Sequence, residues 1–358
     1  MHNLIEAAGR WFLESGIQEE SGGVARFYRS DIGRNAGVST EITAYTISTL
    51  LFLHRRTGRA EYLDAGLRAA RFLTRLAWNA RLGTFPFEHP VTGDQSALAY
   101  FFDCGIIVRA LLGAWRVTGE SEFLDIATAT GRAMLADFRG PGAIHPILAL
   151  PEKRPLAYEE RWSAGPGCYQ LKAAMAWYDL FESTGEKDFL RAYESVLDEA
   201  LSTQQGFLPG SSDPHTVMDR LHPYVYFLEG LLPVIQRSDC AEIFRAGIAR
   251  VAGYLDEISP RFARSDVYAQ LLRVRLCGEH LGIVPLDRAA ASREAEQLAA
   301  YQLHSEDPRI DGGFGFGSKQ GELLPYVNPV SAAFSLQSLA WWNDHCANTL
   351  EAGRQALI

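Results

Sequence analysis

Charge-poor segments alternate with amphipathic ones along the 358-residue chain. Residues 42–53 contain no charged side chain, and residues 97–115 contain only Asp103 and Arg109. The segment that follows each charge-poor stretch carries its charges at helical spacing, as in residues 60–78. A helix that is apolar nearly all round is buried, whereas one with a single apolar stripe lies half-exposed. The pattern therefore predicts pairs that consist of a buried helix and then a half-exposed helix.

A short corner motif separates the two helices of a pair. It combines Thr-Gly with acidic residues and an aromatic–Leu step, and it begins at Thr57, Thr118 and Thr184, with a degenerate copy at Ser238. Glycine just past a helix end adopts a left-handed conformation without a steric penalty. Acidic residues then favour the start of the next helix. A repeat of this length indicates one supersecondary unit per copy.

Extending this pattern over the chain predicts about twelve helices. The buried helices are predicted over residues 39–56, 97–117, 167–183, 219–236, 265–277 and 328–345. The half-exposed helices are predicted over residues 2–16, 60–78, 120–138, 186–203, 240–257 and 286–304. Because the last buried helix is as apolar as the central ones, a closed ring fits better than an open solenoid. We therefore predict an all-α fold, an (α/α)6 barrel of six inner–outer hairpins, as a single domain over residues 1–358.

The connections that precede the buried helices are long. They cover residues 79–96, 139–166, 204–218 and 306–327. Long loops in compact domains are commonly functional. We therefore expect the functional site at the end of the barrel where the inner helices begin.

Four polar residues fall in the first turn of a predicted buried helix: Glu41, Asp103, Gln170 and His222. A polar group in an apolar stripe costs free energy unless it is paired or used. We take Asp103, Glu41 and His222 as candidate catalytic residues and Gln170 as a hydrogen-bonding residue. The alternatives are a helix-start preference for Glu41, a buried structural pair for Asp103 and a satisfied core histidine for His222.

The connecting segments add charged and aromatic candidates. Tyr158 to Trp162 combines acids, a base and aromatic rings, which suits a sugar, although a solvated loop is the alternative. Glu160 is a further candidate catalytic carboxylate. The Gly-rich segment 311–317 allows close backbone approach but lacks the Lys-Ser/Thr of a phosphate loop. The candidate substrate-binding residues are Arg29, Tyr45, Glu159, Arg161, Trp162, Gln170, Asp219, Tyr224, Phe314 and Phe316.

Composition narrows the classes of partner. The formal net charge of −9 argues against nucleic-acid and anionic-membrane binding. No metal-binding spacing of histidines occurs, and we expect neither a metal nor another cofactor. The five cysteines do not occur at the spacings of paired cysteines, and we recognise neither a signal peptide nor an apolar segment long enough to span a membrane. These features favour a cytoplasmic protein. The expected partner is a small saccharide substrate, and the oligomeric state is not predicted.

The segment from Phe102 to Leu124 resembles the repeat unit of the six-hairpin glycosidase superfamily. That superfamily includes unsaturated glucuronyl hydrolases and N-acylglucosamine epimerase-like proteins. The resemblance implies the (α/α)6 fold over nearly the whole chain. It also implies that Asp103 corresponds to the general acid/base of the hydrolases. His222 can be compared with one histidine of the epimerases, whose second histidine has no clear match here.

These observations favour a carbohydrate-active enzyme, with glycoside hydrolysis as the first hypothesis. Asp103 would be the acid, and Glu41 or Glu160 would be its ionised partner. A sugar epimerase or polysaccharide lyase that uses His222 and Tyr224 is the second hypothesis. A non-catalytic carbohydrate-binding or assembly protein on the same fold is the third, because a fold does not determine a function.

Overall fold

Helices dominate the computed structural model, which describes residues 2–90, 97–140 and 142–358. Twelve α-helices lie in these ranges, and they alternate as predicted between buried and half-exposed. The inner helices are α2 (Thr40–Thr57), α4 (Phe101–Thr118), α6 (Gln170–Thr184), α8 (Pro214–Gly230), α10 (Ser265–His280) and α12 (Pro329–Cys346). The outer helices are α1 (His2–Glu14), α3 (Ala60–Phe72), α5 (Ser121–Asp137), α7 (Lys187–Phe207), α9 (Ser238–Ile258) and α11 (Arg288–Ala299).

The chain divides into two compact units. Unit 1 consists of Met1–Ile17, Arg26–Ala36 and Leu208–Ile358, and unit 2 consists of Gln18–Ala25 and Gly37–Phe207. In unit 2, α4 packs between α2 and α6, and the outer helices α3, α5 and α7 each cover the inner helix before them. In unit 1, α10 packs between α8 and α12, and α9, α11 and α1 cover this set. That the whole chain is a single domain stays a prediction.

Left-handed glycines form the corners between inner and outer helices. Gly58, Gly119 and Gly185 have φ angles of 72°, 73° and 77°. The N–H of each donates to the carbonyl four residues earlier, as Gly58 N does to His54 O at 2.8 Å. This confirms the turn chemistry predicted from the Thr-Gly motif.

Ion pairs link two of the three corners of unit 2 to the preceding outer helix. Arg71 of α3 pairs with Glu120 at 3.0 Å, and Arg132 of α5 pairs with Glu186 at 2.7 Å. Both pairs are exposed, so each contributes only ~0–1 kcal/mol to stability. Their regular placement shows that the corner acids contact the neighbouring hairpin in addition to starting a helix.

Short antiparallel strands occupy the connections before the inner helices, where the sequence analysis predicted loops. Backbone N–H and C=O groups that are removed from water need hydrogen-bond partners, and strand pairing provides them. The strands are β1 Val24–Ala25, β2 Tyr28–Arg29, β3 Arg34–Asn35, β4 Val38–Ser39, β5 Leu98–Tyr100, β6 Arg139–Gly140, β7 Ala143–Ile144, β8 Ile147–Ala149, β9 Arg154–Pro155, β10 Phe262–Arg264, β11 Gly317–Lys319, β12 Glu322–Leu323 and β13 Tyr326–Val327. In unit 2 the strand orders are β1-β4, β5-β8-β9 and β6-β7. In unit 1 they are β13-β2-β3 and β10-β11-β12.

Helix α8 differs most from its predicted bounds of 219–236. It begins five residues earlier because Asp213 caps it, accepting the Thr216 N–H at 2.9 Å, and Pro214 occupies its first turn. It ends at Gly230, before a single 3₁₀ turn that contains Pro233. The predicted loop 204–218 is correspondingly short, since α7 continues to Phe207.

Two expectations from composition can be compared with the structure. Cys104, Cys168 and Cys277 are buried as small core side chains, as expected from their apolar surroundings. Among the helices of the described ranges, none has both the length and the apolar character that crossing a bilayer would require.

We predict opposite effects for alanine at two glycines of α4. A Cβ at Gly105 would lie 2.5 Å from the carbonyl oxygen of Ala173 on α6, whereas one at Gly113 would lie 3.4 Å from Leu51 Cδ1. Gly105→Ala should lower the free energy of unfolding by about 1–3 kcal/mol, because backbone must move. Gly113→Ala should be neutral or raise it by up to ~1 kcal/mol through helix propensity. Thermal unfolding of both variants checks this, and equal melting temperatures would contradict the close helix approach.

Candidate functional site

The connecting strands of unit 2 place two carboxylates in first helical turns. β4 ends at Ser39, whose hydroxyl accepts the Ile42 N–H and caps α2, so Glu41 falls in the first turn. The Thr40 hydroxyl anchors this turn by donating to Pro86 O at 2.7 Å. β5 continues directly into α4, which puts Asp103 in the equivalent position.

Glu41 and Asp103 interact with each other. Asp103 is 5% exposed, and its Oδ2 has no hydrogen-bond partner among the described residues. Burial raises the pKa of Asp103 well above its ordinary value, and the charge of Glu41 raises it further. Burial also raises the pKa of Glu41, to about 7. Two interacting carboxyls with raised pKa values hold a proton between them near neutral pH.

Tyrosine side chains lie near Asp103, whose charge contributes to raising the pKa values of Tyr100 and Tyr169. Tyr169 packs edge-on against Trp162 with ring centroids 5.1 Å apart, and Phe102 lies 6.1 Å from Tyr169. Burial raises the pKa of Tyr100, as does the charge of Asp103, while the positive charge of Arg161 opposes both. The carboxyl pair therefore has apolar walls and one guanidinium nearby.

The other candidates of unit 2 are spread over the same connections. Gln170 is buried, and its amide contacts backbone, accepting from Gly167 N at 3.5 Å and donating to Ile144 O at 3.4 Å. Glu159 and Glu160 are exposed, and Glu159 lies 4.0 Å from Arg161. Tyr45 is buried within α2. The roles of these candidates in binding or catalysis stay predictions.

A second polar cluster lies in unit 1 around His222 on α8. His222 Nδ1 lies 2.8 Å from Gln270 Oε1 and 3.3 Å from Asp266 Oδ2, both on α10. Because both neighbours are acceptor oxygens, Nδ1 carries the proton and Nε2 is the acceptor nitrogen. Burial lowers the pKa of His222 to about 4, so the imidazole is neutral at pH 7.

Arg264 holds the carboxylates of this cluster. It binds Asp266 through Nε at 3.0 Å and through a terminal nitrogen at 2.6 Å, and its other terminal nitrogen lies 3.1 Å from Asp219. Burial raises the pKa of Asp266, but the charge of Arg264 and its hydrogen bonds to the carboxylate outweigh burial and leave the pKa below its usual value. The guanidinium also lies 4.7 Å from the centre of the Phe316 ring. Asp266 is therefore an ionised group that orients His222.

The remaining candidates of unit 1 lie apart from the polar contacts of His222. Arg29 forms an exposed ion pair with Asp31 at 2.6 Å. Tyr224 is buried beneath Arg250 of the outer helix α9, 5.6 Å from its ring centre. Phe314 is fully buried, and its carbonyl accepts the Asn328 N–H at 3.1 Å. Their roles in binding stay predictions.

Among the described residues, no group of three His, Cys, Asp or Glu side chains is placed to hold a metal ion.

No protein-family model and no curated protein sequence matches this chain. Solved structures do match. A cellobiose 2-epimerase from Spirochaeta thermophila aligns with a TM-score of 0.71 at 15% identity, covering 94% of this chain and 95% of its own. A sugar epimerase from a ruminal bacterium gives 0.70 at 11% identity, covering 94% and 98%. An unsaturated glucuronyl hydrolase from a Bacillus species gives 0.67 at 12% identity, covering 96% and 97%.

The chain has the six-hairpin (α/α)6 barrel fold. The resemblance inferred from the corner repeat is thus confirmed at the level of fold. The six-hairpin fold occurs in both epimerases and hydrolases among these structures, so it leaves the reaction to be argued from the side chains.

Sequence reasoning missed several polar residues that this six-hairpin chain places beside its candidates. Arg264, Asp266 and Gln270 contact His222 or its partners, and Tyr100 lies near Asp103. Asp266 meets the criterion that found Asp103, since it lies in the first turn of a buried helix. The sequence does not mark Asp266 in the same way, because the Thr-Gly corner motif is absent after α10, which ends at His280.

We predict that Glu41→Gln stabilises the protein at pH 8 and much less at pH 5. The pKa of Glu41 rises from an ordinary value near 4.5 to about 7 on folding, so the native state binds more protons in that window. Stability therefore falls as pH rises from 4.5 to 7, by about 1–3 kcal/mol, and the neutral amide avoids this loss.

Urea or thermal unfolding of both proteins at the two pH values measures the effect. Glu61→Gln is the control with opposite sign, because the hydrogen bond from Arg59 lowers the pKa of Glu61. A Glu41→Gln variant that is equally destabilised at pH 5 and pH 8 would show that Glu41 is not a desolvated acid.

Proposed function

We propose that this protein is a glycoside hydrolase that acts through Asp103 and Glu41. The observation that supports the proposal is the coupled carboxyl pair at the starts of α4 and α2, with raised pKa values and an unpartnered buried oxygen on Asp103. Perturbed, mutually interacting acids in apolar surroundings are typical of acid–base sites. A structural ion pair would instead place a cation against Asp103.

The two acids would have different roles. Asp103 has the more strongly desolvated carboxyl, so it is the protonated member and donates its proton to the glycosidic oxygen as the bond to the anomeric carbon breaks. Glu41 ionises at lower pH and acts on the anomeric carbon as a nucleophile, or on a water molecule as a base. The proton that water releases returns the pair to its starting state.

The neighbouring side chains fit a sugar ring. Trp162 and Tyr169 provide aromatic surface on which the apolar face of a pyranose can stack, and Phe102 extends that surface. Arg161 and Tyr100 offer hydrogen bonds to hydroxyl groups. The solved structures with this fold include enzymes named for cellobiose, mannose and unsaturated glucuronyl substrates, which supports a saccharide for this chain too.

Epimerisation is the second candidate, and the geometry of His222 favours it. A neutral imidazole whose Nδ1 faces Asp266 and Gln270 presents Nε2 as a base. Such a base can remove a proton from carbon beside the carbonyl of an open-chain sugar and return it to the other face. The named epimerases of the same fold support this alternative.

Asp103→Asn should abolish hydrolysis. With disaccharides and methyl glycosides of neutral and uronic sugars and an unsaturated uronyl disaccharide as the panel, kcat should fall about 10³-fold or more, because these leaving groups must be protonated as they depart and the amide cannot donate the proton. Thermal unfolding should show an intact fold, since Asn is isosteric with Asp.

Glu120→Gln makes the same carboxyl-to-amide change in an exposed ion pair of unit 2 and should change kcat less than twofold. Near wild-type turnover by Asp103→Asn would remove Asp103 from the mechanism. Failure of the wild type to cleave any member of the panel would count against hydrolysis altogether.

His222→Asn separates the second candidate from the first. If epimerisation occurs, the wild type should exchange solvent deuterium into cellobiose or mannose without cleaving it, and the variant should lose this exchange about 10²-fold or more. NMR of the recovered sugar measures both. Cleavage that yields an unsaturated sugar would indicate a lyase. Deuterium exchange that persists in the His222→Asn variant would exclude His222 as the base.

A further inference from the structure

A cavity of about 430 Å³ lies in unit 1 among α9, α10 and α11. That volume is within the usual range for small-molecule sites. The residues that line the cavity include none of the polar contacts of His222, and they lie outside unit 2 with its carboxyl pair. The cavity is therefore a further place to look for a ligand.

Buried side chains form the inner part of this cavity. Leu255 of α9 and Tyr268 and Leu271 of α10 line it, and each is at most 8% exposed. Apolar and aromatic surface of this kind covers the hydrocarbon part of a small ligand, while a few polar groups orient it. The polar groups of the cavity therefore determine which ligand fits.

Arg275 of α10 contributes a guanidinium whose terminal nitrogens are uncommitted. Its Nε–H donates to both oxygens of Glu294 on α11, at 2.8 and 3.0 Å. Among the described residues, its two terminal nitrogens have no hydrogen-bond partner. The charge of Arg275 also reaches Asp287, but that carboxylate caps α11 by accepting the Ala290 N–H at 3.0 Å. The free end of a guanidinium binds a carboxylate through two parallel hydrogen bonds.

Glu294 neutralises Arg275 only in part. Burial raises the pKa of Glu294 to about 7, although the charge of Arg275 acts to lower it. At pH 7 the carboxyl is therefore neutral in about half of the molecules. The guanidinium is only 12% exposed, so bulk water replaces the missing counter-charge poorly.

Asp256 of α9 gives the same cavity a carboxylate without a cation. It is exposed, and within the described part of the chain it forms neither a hydrogen bond nor an ion pair. Its charge contributes to raising the pKa of Glu294, so it lies near that group. Asp256 and Arg275 both line the cavity and yet do not pair with each other. Opposite charges that are held apart across an open space are complementary to a molecule that carries both signs.

We infer that this cavity binds a free α-amino acid with an apolar side chain. The carboxylate of the ligand accepts hydrogen bonds from the terminal nitrogens of Arg275, and its ammonium group faces Asp256. Its side chain packs against Leu255, Tyr268 and Leu271. None of these residues belongs to the carboxyl pair or contacts His222, so the site is independent of the proposed hydrolysis.

L-Phenylalanine, 2-phenylethylamine and 3-phenylpropionate are the matched probes, because the amine lacks the carboxylate and the acid lacks the ammonium group. L-Leucine is tested beside them as a smaller amino acid. Isothermal titration calorimetry and thermal shift on the full chain at pH 7 measure binding. The better-bound amino acid should bind about fivefold or more tightly than either singly charged probe.

Arg275→Lys should weaken amino-acid binding about tenfold, because lysine keeps the charge beside Glu294 but cannot form two parallel bonds to a carboxylate. Arg293→Lys is the matched control. It makes the same change in an exposed arginine of the same cavity and should alter the affinity less than about twofold.

Asp256→Asn should weaken amino-acid binding about three- to fivefold and leave 3-phenylpropionate binding equal or tighter, because only the partner of the ammonium group is lost. Glu296→Gln is its control on the same cavity, since Glu296 already accepts the Ser292 hydroxyl at 3.1 Å. It should change the affinity less than about twofold.

Thermal unfolding without ligand verifies that each variant is folded, and if Arg275→Lys is not, the comparison of Asp256→Asn with Glu296→Gln decides alone. Binding of neither amino acid at its highest soluble concentration would overturn the inference. So would singly charged probes that bind as tightly as the amino acid, or equal effects of a variant and its control.

Discussion

The inner helices must be covered on every side, and this constraint determines where chemistry is possible. Helix α4 is buried along almost its whole length, so each polar group within it costs free energy unless it has a partner. In each unit the outer helices provide the cover, and the corners keep each hairpin tight. The first turns lie where the connections arrive, and there polar side chains can meet water or a ligand. Glu41, Asp103 and Asp266 lie in such first turns. His222 does not, contrary to the prediction from the sequence, because α8 begins at Pro214 and His222 is its ninth residue.

The two units solve the problem of buried charge in different ways. In unit 2, burial raises the pKa values of Glu41 and Asp103, and the charge of Glu41 raises that of Asp103 further, which favours keeping a proton on the pair. In unit 1, a guanidinium lies between two carboxylates and keeps Asp266 ionised against the effect of burial. The first arrangement favours proton donation, and the second favours fixing the tautomer of a histidine. Both reduce stability compared with apolar packing, which is the usual relation between a reactive site and its fold.

The periodicity of charge along the chain was sufficient to predict the fold, because a closed set of hairpins is a consequence of burial and turn chemistry. Gly58, Gly119 and Gly185 have the conformation that their Thr-Gly context predicted. The same pattern located Asp103 and Glu41, since a charge inside an apolar stripe is conspicuous. It could not locate Gln270 or Arg275, because amides and arginines occur throughout helices and only their contacts distinguish them. Nor could it show that Arg264 would be shared by two carboxylates, which depends on strand β10 bringing it beside Asp219.

The left-handed corners have a consequence for how this fold can be modified. Asp103 lies fifteen residues before Thr118, and at 1.5 Å per residue about 22 Å of helix separates the acid from the corner at Gly119. A domain, tag or longer loop introduced at such a corner would therefore be attached at the opposite end of a rigid rod from the reacting groups. An attachment at such a corner can therefore be added to this architecture without contact with the carboxyl groups at the other end of the inner helices.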